Sequence, residues 1–452
     1  MKKRFLSFLL AVCLLLAVPG CGSENDAPPA PAEPAPEAVT EPEPVPEEPS
    51  EPEYSQREQN WRGDIEYLRN EYKKYHRDPF RFHSEEEFDW KLDQVKAKIG
   101  ELTDTEIYFE LAAVVAGMED NHTSLVMEDI GQFFPIEVAC FGNGIYLSCY
   151  MEGYEQFEPY LLREIVAVNG VDMSYIRKKG ESLFDPTNAW AGKEHFAAYF
   201  IPAILDWAGC GYKEGYEIQI LNEDQEVVTL ELPVVSADMW SDGHWIWADA
   251  FRTLFYYTGE NRVDYFEDER GSYIHAVFPD LQSYARTFEF FKEIMEVVRA
   301  HPDCDTLVVD VRRNPGGYIE YLREKFQLLK DTQIKHTYVA TGGYSVSAAV
   351  IVLGICKEEL GAVSIGEPTG QFTSGFSGLD VARSALPNAG IQFHISYDRY
   401  EGPEVGEVYY DENGEIYPWE NTILPDVYVS QDIEDVRQGK DSVIEWILDH
   451  QE

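Results

Sequence analysis

The chain has 452 residues, 44% of them hydrophobic and 13% aromatic, which is enough for a sizeable core and about two or three domains and excludes a disordered chain. Its formal net charge of -46 argues against nucleic acid as a partner and against direct adsorption to anionic lipid.

Lys2, Lys3 and Arg4 precede an apolar run from Phe5 to Val18, the charged and hydrophobic regions of a bacterial secretory signal. The run is too short for a membrane span. It ends in Leu-Ala-Val-Pro-Gly-Cys, Leu16 to Cys21, which resembles a bacterial lipobox; plain cleavage near Gly20 is the alternative. A lipobox implies diacylation of Cys21, and two acyl chains on one residue suffice for stable anchoring. The expected location is therefore the bacterial cell membrane, lipid-anchored on its extracytoplasmic face. Residues 22–56 then switch to Pro, Glu and Ala with almost no large apolar side chain, which makes them a disordered tether.

A helical block is expected over 57–130. Its apolar series Ile65, Leu68, Tyr72, then Phe88, Leu92, Val95, Ile99, then Ile107, Leu111, Val114 describes three amphipathic helices. Ser84 and Thr103, each followed by an acidic first turn, are the predicted N-caps of the second and third. The block ends at the polar turn Glu119-Asp120-Asn121-His122. From 131 to 235 the pattern changes to short β-rich runs, among them Gly144 to Tyr150, Glu164 to Asp172 and Tyr216 to Leu221. The Ile165 to Asp172 segment and the preceding Gly142-Asn-Gly-Ile turn resemble a PDZ domain. That resemblance implies capture of an extended peptide at a sheet edge, with Gly142 and Gly144 in the binding loop; a purely structural β module is the alternative.

The last segment, 236–452, opens with Trp240, Trp245, Trp247, Phe251, Phe255, Tyr256 and Tyr257, aromatics that serve a core more often than a groove. Strand and helix then alternate: a strand over Tyr273 to Phe278, a helix around Phe288 to Arg299, a wholly apolar strand Thr306 to Val311, a helix near Ile319 to Leu329, and a strand His336 to Ala340. Continuous apolar strands between helices predict an α/β layer with a covered sheet.

The apolar strand runs into Asp-Val-Arg-Arg-Asn-Pro-Gly-Gly, Asp310 to Gly317, whose paired glycines Gly316 and Gly317 let backbone approach a ligand. About thirty residues later Thr-Gly-Gly-Tyr-Ser-Val-Ser-Ala-Ala-Val, Thr341 to Val350, places Ser347 between a glycine-rich turn and a helix start. By itself such a serine is more often an N-cap. Together with Ile-Gly-Glu-Pro-Thr-Gly, Ile365 to Gly370, these segments follow one another as in the tail-specific (C-terminal processing) serine peptidases, and the resemblance spans Trp61 to the C-terminus.

That resemblance implies a crotonase-like ββα spiral peptidase core in a multi-domain α/β chain, with an N-terminal helical bundle and an inserted PDZ-like module. It implies Ser347 as nucleophile and the amides of Gly317 and Ala348 as the oxyanion hole, with Gly316 alongside the substrate. One branch of the family activates its serine with a lysine past Gly-Glu-Pro-Thr, where this chain has Gly370, Gln371 and Phe372. The other, tricorn-like branch uses a histidine in an Asp-x-His-Thr turn, which matches His122 here. Neutral imidazole is a suitable base for a serine near pH 7. Glu420, shortly before Pro425-Asp426, is the candidate third member. Asn121 stands where the family has a serine.

The expected partner is a peptide or protein substrate, with the membrane reached through Cys21. No metal and no cofactor is assigned, since the histidines lack ligand spacing. Cys140, Cys149, Cys210, Cys304 and Cys356 read as buried thiols without a disulfide framework. The rival reading is a catalytically silent peptide- or hydrophobe-binding lipoprotein on the same fold.

Overall fold

In the computed structural model, residues 54–450 are described apart from 82, 121, 127–130, 185–187, 212–214, 258, 372–374, 377–380 and 401–421. The signal, lipobox and nearly all of the tether lie outside the described residues, as does Glu420. The chain divides into Met1–Gln59 and Asn60–Glu452. Of the first unit the structure describes residues 54–59, where Ser55 and Glu58 exchange capping hydrogen bonds: the Glu58 amide donates to Ser55 Oγ, and Ser55 N–H and Oγ–H donate to Glu58 Oε2.

Three helices come first: α1 (Gln56–Tyr75), α2 (Glu85–Ala97) and α3 (Asp104–Ala116). Ser84 and Thr103 cap the second and third as their sequences dictate, and Thr103 with Glu106 closes a full capping box. A β-rich stretch follows: β1 (Ser124–Leu125), β2 (Gln132–Phe133), β3 (Ile136–Phe141), β4 (Gly144–Met151), β5 (Ile165–Val168) and β6 (Val171–Asp172). The short helices α4 (Met173–Glu181), α5 (Ala189–Ala198) and α6 (Pro202–Trp207) interrupt it before β7 (Tyr216–Leu221), β8 (Val227–Leu232) and β9 (Val235–Ser236). The sequence pattern had not separated these three helices from the β runs. They are one to three turns long, and tertiary packing rather than periodicity holds such elements; Gly180 of α4, for example, lies flat against the Phe196 ring of α5.

Besides the short β2–β9 pair, the β module forms two larger sheets. One has the order β6-β5-β7-β8. The other pairs β3 and β4 with β10 (Trp245–Trp247), which follows α7 (Ala237–Asp242). The two runs singled out for their PDZ resemblance thus lie in different sheets, joined by a bridge between Tyr146 and Glu164. One apolar cluster includes Leu68, Phe88 and Ile107 of the helical block together with Leu147, Ile165 and Ile218, so helices and β module share a core.

After α8 (Asp249–Thr253), the chain builds a six-stranded sheet from β11 (Arg262–Glu267), β12 (Ser272–Val277), β13 (Thr306–Asp310), β14 (His336–Thr341), β15 (Val363–Gly366) and β20 (Val427–Tyr428), in that spatial order. Only the β11–β12 pair is antiparallel. Leu307 and Val309 face helices α9 (Tyr284–Ala300) and α11 (Ala348–Leu360), while Val308, Ala340 and Ile365 face α13 (Ser442–Asp449). Burial on both faces is the reason that β13 is apolar from Leu307 to Val309, between Thr306 and Asp310.

Between β13 and β14 lies α10 (Leu322–Gln327), which starts later than its periodicity indicates because Tyr321 adopts φ 63° and Tyr318 and Ile319 are exposed. Beyond β15 come β16 (Gly375–Phe376), β17 (Val381–Ala385), β18 (Gln392–Ser396) and β19 (Arg399–Tyr400). Strand β18 pairs with both β17 and β1, which returns this part of the chain to the turn bearing His122. Helix α12 (Ile433–Arg437) precedes α13.

Candidate active site

Two loops, each leaving the C-terminal end of a parallel strand, build the site. The first follows β13. Asp310 is buried and accepts from His275 Nε2 at 2.9 Å, from the Arg312 amide at 3.0 Å and from Arg312 Nε at 3.0 Å. Arg312 continues to Asp441 at the start of α13, with Nη1 to Oδ1 at 2.9 Å, and its guanidinium lies 3.5 Å from the Tyr256 ring centre. Burial pushes the Asp310 carboxyl up, but Arg312 and His275 outweigh it and hold this group well below the usual carboxylate range. Asn314 then ties the turn down: its Nδ2 donates to the Phe278 carbonyl at 2.8 Å and its Oδ1 accepts from the Gly316 amide at 2.8 Å.

The glycines are required by close approach. A Cβ on Gly316 would stand 2.6 Å from Ser347 Cβ and 3.0 Å from both Ser347 Oγ and the Ala348 nitrogen. One on Gly317 would meet the Leu281 carbonyl at 2.2 Å. Both adopt positive φ, 102° and 140°, which adds backbone strain for any other residue.

The second loop follows β14. Ser345 Oγ donates to the Val311 carbonyl at 2.7 Å and accepts from the Gly342 amide at 3.1 Å, and the Val346 amide donates to the Asn314 carbonyl at 3.2 Å, so the two loops are bonded together. Ser347 is held at φ 53° and ψ -122°, directly before α11. Its hydroxyl does not cap the helix, which removes the N-cap explanation for a serine at this position. Its amide donates to Gln371 Oε1 at 2.8 Å. Among the described residues, the amides of Gly317 and Ala348 donate to no other group.

His122 sits on a separate, equally constrained turn. Buried Asp120 accepts from the His122 amide at 2.9 Å, from Thr123 Oγ1 at 2.5 Å and from His76 Nε2 at 3.1 Å. Thr123 Oγ1 in turn accepts from the Ser396 amide at 2.9 Å, fastening the turn to β18. Burial lowers the His122 pKa, opposed by the Asp120 charge and by the Phe376 carbonyl, so the neutral ring is favoured. Its Nδ1 is buried without a hydrogen-bond partner.

Ser347 and His122 therefore border one stretch of chain, the serine through Gln371 and the histidine through Phe376. No hydrogen bond joins Ser347 Oγ to His122 in this state. Gly316, Gly317, Ser347 and Ala348 come together as the sequence motifs indicate. Gly142, at φ 57°, and Gly144 lie instead at the tip of the β3–β4 hairpin, with Tyr146 against Gly144. Sequence reading missed Gln371 as the partner of the Ser347 amide. It also missed Glu137 and Glu194, which lie near Arg313 of the first loop, and Tyr344 of the second. Only Arg313 carried a signal, as a second arginine in a turn with one buried aspartate.

No sequence-family description matches the chain, and no curated relative does. By structure it is similar to mature CPAF complexed with lactacystin, with TM-score 0.59 and 14% identity over 87% of this chain and 98% of that one. A second structure of mature CPAF gives TM-score 0.57 and 13% identity over 87% and 96%. At these identities the likeness is one of fold, and it extends over nearly the whole of CPAF.

Proposed function

We propose that this protein is a serine peptidase of the tail-specific type that hydrolyses peptide bonds through an acyl-enzyme at Ser347. The observation that carries the reading is the Ser347 backbone: φ 53° with ψ -122° costs on the order of 1–3 kcal/mol in a non-glycine residue, and it serves no capping purpose. It exposes a hydroxyl at a sharp strand-to-helix turn, as nucleophile elbows do. The likeness to CPAF supports the same reading through the fold.

In this mechanism Ser347 Oγ attacks the scissile carbonyl carbon while His122 takes the hydroxyl proton and then returns it to the leaving amine. The Gly317 and Ala348 amides stabilise the oxyanion, Gly316 leaves room for the substrate backbone, and water later cleaves the ester. The serine–histidine hydrogen bond, absent in the free enzyme, forms as substrate tightens the site. Glu420 is assigned to orient the base. The β module with Gly142 and Gly144 is assigned to PDZ-like peptide capture, and residues 236–452 to a crotonase-like core. Anchoring through Cys21 would hold the body at the extracytoplasmic face. Among the described residues no helix is long and apolar enough to cross a membrane.

The test is labelling of the full chain, purified in detergent, by a fluorophosphonate. Labelling of wild type that disappears in Ser347→Ala and drops at least ~100-fold in rate in His122→Ala is the expected result. Because burial depresses the His122 pKa, the acid limb of the labelling rate should fall below the ordinary histidine value of about 6.5. The unjoined Ser347 and His122 favour one rival, a silent binding protein on this fold. Unlabelled wild type would establish it.

A further inference from the structure

Beside the Ser347 loop lies a cluster of charged groups, Glu137, Glu194 and Arg313, that the hydrolytic chemistry does not use. Its floor is the β3–β4–β10 sheet, where Glu137, Cys149 and Trp247 are cross-strand neighbours on one face. Tyr257 packs on Trp247 at 5.7 Å, and the Arg313 guanidinium lies 4.2 Å from the Tyr257 ring centre. Glu194 of α5 and Tyr344, three residues before Ser347, complete the surroundings of Arg313. The neighbouring His195 ring lies 4.9 Å from that of Tyr344.

We infer that this cluster is a subsite for a carboxylate of the peptide substrate, with Arg313 as the group that binds it; the inference rests on the peptidase reading of Ser347. Arg313 makes no hydrogen bond and no ion pair with any described residue, although a guanidinium presents five N–H donors in a fixed fork. Lys193, which with Arg313 acts on Glu194, is already taken by Glu367 Oε1 at 3.0 Å. The two glutamates near Arg313 stand beyond ion-pair distance, and burial pushes both carboxyls up, Glu137 to about 7. An incoming carboxylate would receive a bidentate pair of charge-assisted bonds. A cationic side chain would have to face the Arg313 charge.

The carboxylate has two possible sources, an acidic side chain or the end of the substrate chain. Calorimetric titration of the full-length Ser347→Ala protein separates them and needs no turnover. Three peptides of one sequence are compared: internal Glu with an amidated end, internal Gln with a free end, and internal Gln with an amidated end. Tighter binding, by at least ~10-fold, of one or both carboxylate peptides than of the double amide is expected, and the tighter one names the source. Adding Arg313→Gln should erase the preference, while Arg313→Lys should keep only part of it. Equal affinities for all three, no binding of any, or a preference that survives Arg313→Gln overturns the inference. Comparison of the peptides on unaltered Arg313 stands even if a variant fails to fold. Fluorophosphonate labelling judges the peptidase reading separately.

Discussion

Arg312 and Arg313 are consecutive, each lies over one of two consecutive tyrosines, and they have opposite fates. Arg312 stacks on Tyr256 and is bonded to both Asp310 and Asp441. Arg313 lies over Tyr257 with carboxyls nearby and none within bonding distance. A buried charge with all its partners fixes geometry: Arg312 joins the end of β13 to the start of α13 and so sets the turn that carries Gly316 and Gly317. A buried charge without partners is costly unless something else supplies them. The same residue type at adjacent positions thus separates the scaffold of the site from its reach toward substrate.

The comparison makes its largest prediction at Arg312. Arg312→Met strands Asp310 and Asp441 in the interior and should destabilise the fold by about 3–5 kcal/mol in urea titration. A loss under about 1 kcal/mol would show that the network is ornamental. Next is Glu137, whose carboxyl is raised by burial from an ordinary 4.5 to about 7. The folded state then binds the extra proton between those values, so stability falls as pH rises through this window and stays lower above it. Wild type should lose on the order of 1–3 kcal/mol relative to Glu137→Gln between pH 5 and 8. Parallel pH profiles of the two would remove the cluster from the comparison. The smallest effect belongs to Arg313→Met, expected within about 1 kcal/mol of wild type because no hydrogen bond is lost and an apolar side chain suits the Tyr257 face. A loss as large as that of Arg312→Met would mean that both arginines are scaffold.

Much of this was legible in the residues. The capping signals of Ser84 and Thr103 act within one turn, and both helices start where those signals lie. The apolar run ending at Asp310 indicated a strand covered on both faces, and glycines at 316 and 317 indicated close approach. The five body cysteines, read as buried thiols, are buried and unpaired. The three helices within the β module were not legible, since none is long enough to show a period. The aromatic stretch after 236 was also only half resolved: Phe251, Phe255 and Tyr256 are core, whereas Trp247 and Tyr257 pack against it partly buried.

Local chemistry in the chain thus determined the helix starts, the covered central strand and the two glycine-rich loops, because each depends on residues a few positions apart. Only tertiary structure decided that Gly316 rests on Ser347, that Gln371 takes the serine amide, and that His122 is fastened to a strand more than two hundred residues away. It also decided which of two adjacent arginines finds its carboxylates within the protein. Those outcomes depend on distances between segments remote in sequence, and such distances are set by how the sheets and helices pack.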